Sequence, residues 1–336
     1  MIGQAVATCY FKPVRRLQDE TDIATSARAA AFRGKRINLC LDLNVAARFN
    51  QAGSDPVKLK DLGLFDLAEV LANPGIILNP GLAFREMEER FVENDWRAFS
   101  EYLTTFAPEY QDTPDATWDP SGSPMKNFWD LPKTAQAVHL PSYISQLLLI
   151  SWRKTDAAPL RQLEGYLSDV LRYLGQFQPL EARIAQFLFY DRMRARNEDW
   201  KAFCGEIRTN FSKPAGSKRT LLKAALNQML DTYLLRAAQS MHYGQKQEAD
   251  FWIATQDTGL AYFAKTFFYD EAHLSPSGLF STFERLMPFA EMTTEQYWLD
   301  AEALFDNFSE APKWQISDEE LASLAKEIEA KLLERL

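Results

Sequence analysis

The sequence predicts an α/β fold with a short parallel sheet, a core split by a large all-helical insertion, and a helical extension at the C-terminal end. Three observations predict it. The apolar run Ile37 to Leu41 passes directly into Asp42-Leu43-Asn44-Val45. A second apolar run, Phe251 to Ala254, passes into Thr255-Gln256-Asp257. Between them, from about Trp96 to Asn210, no convincing strand is found and several segments read as helices. The boundaries that follow are 1–95 and 212–290 for a discontinuous α/β core, 96–211 for the insertion and 291–336 for the extension.

In chain order, the Ala/Arg-rich stretch Ser26 to Arg36 reads as a helix leading into the first strand. A short helix, Val45 to Phe49, follows Asp42. Leu62, Phe65, Leu67 and Leu71 give Lys60 to Ala72 helical spacing, stopped by Asn73-Pro74-Gly75. Ile76 to Leu78 is a second strand, and Asn79-Pro80-Gly81 opens a helix with proline in its first turn. Pro108 to Pro124 is an irregular loop. Within the insertion, Pro141 to Arg153, Leu160 to Leu174, Pro179 to Arg196 and Asp199 to Phe211 read as helices. A basic linker, Lys213 to Arg219, leads to a long amphipathic helix from Thr220 to His242. Phe251 to Thr255 is the third strand, Thr258 to Thr266 a helix, and the remainder helical. Thr293 with Gln296 and Ser317 with Glu320 have capping-box spacing.

Bulk properties narrow the function. A chain of 336 residues with 46% hydrophobic and 13% aromatic content can bury a large core. A net charge of −9 argues against non-specific nucleic-acid binding by the whole surface, though not against a local basic strip. Cys9, Cys40 and Cys204 form no CxxC pair, which speaks against a disulfide framework or zinc site. The first twenty residues contain no apolar signal region, and no apolar run is long enough to span a membrane, so the chain reads as cytosolic.

In an open α/β sheet, ligands bind beyond the carboxyl ends of the strands. Asp42 and Asp257 both stand there, and two carboxylates brought together repel unless a cation or proton lies between them. Glu86, in the helix after strand two, and Asp231, in the helix before strand three, extend the set. Converging carboxylates suit a hard divalent cation, Mg²⁺ or Mn²⁺, which can activate water and stabilise a phosphodiester in transfer. Asn44 is placed to hydrogen-bond a metal-bound water, and Thr255 to orient Asp257.

These segments resemble the motifs of PIN-domain nucleases. Asp42-Leu43-Asn44-Val45 is similar to the family's opening motif, Thr255-Gln256-Asp257 to its late T-x-D motif, and Asn79 to Glu86 to the segment carrying its second acid. The helix with Asp231 stands where the third acid is found. The resemblance covers residues 36–93 and 219–270. It implies a three-layer α/β/α sandwich and metal-dependent cleavage of RNA, less often DNA, with Asp42, Glu86, Asp231 and Asp257 as catalytic metal ligands. It leaves open a toxin-type or defence-associated ribonuclease. It also leaves open a catalytically weak PIN-like scaffold whose helical regions bind a protein partner, such as an antitoxin or a complex subunit.

Each position has a plainer reading beside this one. Asp42 and Asp257 could simply cap the following helices. Glu88 rivals Glu86, because it lies beside the apolar face set by Phe84, Met87 and Phe91. Asn227, four residues before Asp231 on the same helix face, is placed to support it from behind, or the two could be a solvated polar stripe. Lys213, Lys218 and Arg219 could hold phosphates, or be an ordinary solvated basic run.

Overall fold

A computed structural model describes residues 7–15, 22–53, 55–73, 75–80, 83, 89–110, 127–212, 217–244, 249–270 and 283–334. Glu86, Glu88 and Lys213 lie outside the described residues. Contacts divide the chain into two compact units, 1–125 with 234–286 and 126–233 with 287–336.

The first unit is mixed α/β. Its main sheet has the order β1 (Cys9–Phe11), β5 (Ala249–Thr255), β3 (Arg36–Leu41), β4 (Ile76–Asn79). β3 runs parallel to both β4 and β5, while β1 pairs antiparallel with β5. The two central strands read as near-continuous apolar runs because each has a partner on both sides and is covered on both faces. β5 is buried along its whole length. One face carries Ile37, Leu39, Leu41, Leu78, Trp252 and Ala254. These pack against Val45 and Phe49 from the helix Leu43–Ala52 and Phe99 and Tyr102 from the helix Glu89–Phe106. The Phe49 ring lies 5.0 Å from Phe99 and 4.8 Å from Tyr102. Tilted pairs of this kind add about 0.5–1.5 kcal/mol each beyond area burial. The helix Thr258–Thr266 packs on β1 and β5.

A second sheet was not expected from the sequence. β2 (Val14–Arg15) runs parallel to β6 (Phe267–Asp270), which pairs antiparallel with β7 (Phe283–Arg285). The helical reading of residues after Thr266 is therefore corrected at β6 and β7. The single helix expected over Lys60 to Ala72 is two, Pro56–Asp61 and Phe65–Leu71, broken where Gly63 takes φ +70°. That left-handed geometry is open to glycine at no steric cost.

The second unit is helical. Pro141 lies inside a helix running Lys133–Arg153, where the sequence placed it at a helix start. The helix expected to reach Arg196 ends at Phe189, and Thr293 caps nothing ahead of Gln296: the N-cap of the helix Gln296–Ser309 is Glu295. The Ser317–Glu320 box is present, with Ser317 N and Oγ donating to Glu320 at 3.0 and 2.8 Å. Phe187, Tyr190, Trp200 and Trp298 form an aromatic core, with Trp298 4.9 Å from Phe187 and 5.2 Å from Trp200.

The unit boundaries differ from those read in sequence. Residue 95 falls inside the helix Glu89–Phe106, whose Phe99 and Tyr102 belong to the α/β core. The helices after residue 287 belong to the same unit as 126–233. Arg183 makes a two-pronged ion pair with Glu302 at 2.5 and 2.9 Å. Trp129 Nε1 and Tyr143 Oη both donate to Glu329, at 3.0 and 2.8 Å. No helix among the described residues is long and apolar enough to cross a membrane.

Candidate functional site at the strand ends

β3 and β5 advance in register, Cys40 beside Ile253 and Leu41 beside Ala254, and Asp42 N continues the ladder to Ala254 O at 3.0 Å. The residues just beyond both strand ends are thereby neighbours. Asp42 occupies the N-cap position of the helix Leu43–Ala52, and Asp257 that of Thr258–Thr266. Neither side chain makes a capping hydrogen bond. The capping reading fails for both. By contrast, Asp55 and Asn197 cap in the ordinary way, each accepting from two amides of its helix's first turn.

The Asp42 carboxylate turns toward β5. Its Oδ2 accepts from Thr255 Oγ1 at 2.5 Å and from Asn44 Nδ2 at 2.8 Å. Asn44 Oδ1 accepts from Gln256 N at 2.8 Å. Thr255 Oγ1 in turn accepts from Asp257 N at 3.0 Å. One hydroxyl, fully buried, therefore ties the carboxylate at the end of β3 to the backbone of the aspartate beyond β5. Asp42 itself is 8% exposed. A short donor bond onto a buried carboxylate is charge-assisted and about twice as strong as a neutral one.

The sequence reading places Asp42, Asn44, Thr255 and Asp257 at one site, and the structure joins all four. Asn44 has protein partners at both ends of its amide, and Thr255 supports the Asp42 carboxylate as well as the Asp257 backbone. Asp231 and Asn227 lie half-buried on the helix Lys218–Gly244. Their segment belongs to the helical unit, where Asn210 Nδ2 donates to Asp231 Oδ2 at 3.4 Å. Lys218 begins that helix and Arg219 is exposed on it. Among the described residues no three His, Cys, Asp or Glu side chains converge as a metal-holding group. The donor chemistry at the strand ends, carboxylate, hydroxyl and amide oxygen, fits a hard cation rather than a thiophilic one.

Three contributors were not singled out from the sequence. Gln256 Nε2 donates to Leu62 O at 2.6 Å and its Oε1 accepts from Arg48 Nε at 3.2 Å. Thr8 Oγ1 donates to Gly63 O at 2.7 Å. For Gln256 a signal existed, because it sits between the two motif residues Thr255 and Asp257.

The near-isosteric Thr255→Val removes the hydroxyl while leaving the buried volume nearly unchanged. Any metal-dependent activity of the site should drop about 10- to 100-fold, the usual effect of losing a residue that orients a ligand. Steady-state rates titrated against Mn²⁺ check this, and an unchanged rate and metal dependence would remove Thr255 from the site.

In comparisons with protein families, curated proteins and solved structures, no family model, no curated protein and no solved structure matches this chain.

Proposed function

We propose that the chain is a PIN-like nuclease that hydrolyses phosphodiester bonds, with RNA as its substrate and Mg²⁺ or Mn²⁺ as its cofactor. The observation that supports it best is the Asp42–Thr255–Asp257 junction beyond two adjacent parallel strands. Asp42 and Asp257 are the proposed ligands, with Glu86, or Glu88 in its place, as the second acid; Asp231, which belongs to the helical unit, is not carried into the proposed site. When bound, the cation supplies an activated water and positive charge near the leaving oxygen. Thr255 and Asn44 hold the Asp42 carboxylate in one orientation, so that no reorganisation is needed when the ligand arrives. The late motif keeps Asp257 in place through its backbone amide.

The test is direct. Purified protein incubated with single-stranded RNA should release fragments with Mn²⁺ or Mg²⁺ and none with excess chelator. Parallel single-stranded DNA reports the substrate preference. Absence of cleavage with either metal and either substrate would sink the nuclease reading and favour the scaffold that binds a protein partner.

A further inference from the structure

We propose that Arg48 is a phosphate-positioning residue of this site, an inference that rests on the nuclease reading above. Arg48 lies on the helix Leu43–Ala52, one turn after Asn44 and on the same face, about 6 Å along the axis. It is half-buried. Its Nε donates to Gln256 Oε1 at 3.2 Å and its Nη1 to Gln51 Oε1 at 2.7 Å. Both partners are neutral amides, and no carboxylate pairs with Arg48 among the described residues.

Two other enclosed cations of this chain do have a carboxylate partner. Arg183, 17% exposed, forms the two-pronged pair with Glu302 and lies 4.2 Å over the Phe305 ring. Lys12, 8% exposed, pairs with Asp250 at 3.4 Å. Taking a cation partly out of water without a counter-charge is costly, and neutral hydrogen bonds offset only part of that cost. The chain has 46 acidic and 37 basic residues, yet among the described residues no carboxylate forms an ion pair with Arg48.

The two amides do fix its position. Gln256 is itself held by Leu62 O and joined through its backbone N to Asn44. The guanidinium is therefore tied to the residue between Thr255 and Asp257, with two of its three nitrogens engaged by neutral oxygens and no ion pair among the described residues. A guanidinium presented in this way suits a phosphate oxygen, which accepts from the planar fork and supplies the missing charge.

The experiment measures binding of an oligouridylate to the full chain as a function of salt, with Ca²⁺ in place of Mn²⁺ to slow turnover, beside steady-state cleavage with Mn²⁺. For Arg48→Gln, the slope of log K against log salt should fall by about 0.7, the loss of one phosphate contact on a single strand. KM should rise about tenfold or more, as expected for losing a charged hydrogen bond, with kcat little changed. Arg48→Lys should keep the slope and give an intermediate KM, since charge remains but the fork is lost. Gln51→Leu, which removes a brace and leaves the charge, should leave the slope unchanged. An unchanged slope in Arg48→Gln, with wild-type protein that binds and cleaves, overturns the role of Arg48 alone. Wild-type protein that neither binds nor cleaves overturns the role and the nuclease reading together.

Discussion

Asp42→Asn should abolish the proposed nuclease activity while leaving the fold intact. The substitution keeps volume and planarity. An amide oxygen can still accept from Thr255 Oγ1 and Asn44 Nδ2, which converge on Oδ2 at 2.5 and 2.8 Å. What is lost is the negative charge, and with it the strongest attraction the site offers a divalent cation. Residues that merely orient a metal ligand cost about 10- to 100-fold when removed. A ligand itself should cost more, on the order of a hundredfold or greater in kcat. Stability should change little, because both bonds to Oδ2 can be kept and no capping bond is broken. Cleavage of single-stranded RNA with Mn²⁺, with thermal melts of both proteins, checks this. Near wild-type cleavage by Asp42→Asn would rule out the proposed mechanism. A large drop in melting temperature would instead show that the Asp42 charge holds the junction together.

This junction was legible in sequence for a physical reason. β3 and β5 are buried on both faces and paired on both edges, so their residues had to be apolar nearly throughout. The change to polar residues at Asp42 and Thr255 therefore marked their ends clearly. Edge strands leave no such mark. β1 has three residues and β2 two, too few to show an alternating pattern. Phe267–Asp270 follows a helix without a break, and its aromatic run fits either state until the pairing with Val14 and Arg15 is known. Pro141 misled in the opposite direction. An internal proline costs a helix about 3 kcal/mol, so a helix start was the economical reading. Residues 142–150 are nevertheless all buried, and that packing outweighs the lost hydrogen bond. Within the site, the paired aspartates could be found from strand ends. Arg48 could not, because an arginine one turn into an amphipathic helix looks like any solvated charge until its neutral partners are seen.

The largest stability effect is expected away from the site, at Gly175→Ala. Gly175 ends the helix Pro159–Leu174 in the left-handed region at φ +65°, with its N–H on Leu171 O at 2.9 Å. Its carbonyl accepts from Trp314 N at 3.0 Å, which fastens the segment before the C-terminal helix to this helix end. A Cβ at 175 would lie 2.2 Å from Trp314 O and 2.9 Å from Trp314 Cδ1. Two costs combine. A side chain in the left-handed region costs about 1–2 kcal/mol, and forcing a packed contact apart costs about 1–3 kcal/mol more. Gly34→Ala isolates the first cost, since Gly34 has φ +68° and nothing within 4 Å of its Cβ position. Gly165→Ala isolates the second, because its Cβ would meet the Trp152 ring at 2.2–2.6 Å on an ordinary helical backbone. Urea melts should rank Gly175→Ala as the most destabilised of the three. The contrast also predicts which variants can be rescued. Trp152→Leu should relieve Gly165→Ala, whose obstacle is a side chain. Trp314→Ala should not relieve Gly175→Ala, whose nearest obstacle is the backbone oxygen that remains after truncation. Recovery of Gly175→Ala by Trp314→Ala would show that the indole, and not the main chain, sets the requirement for glycine.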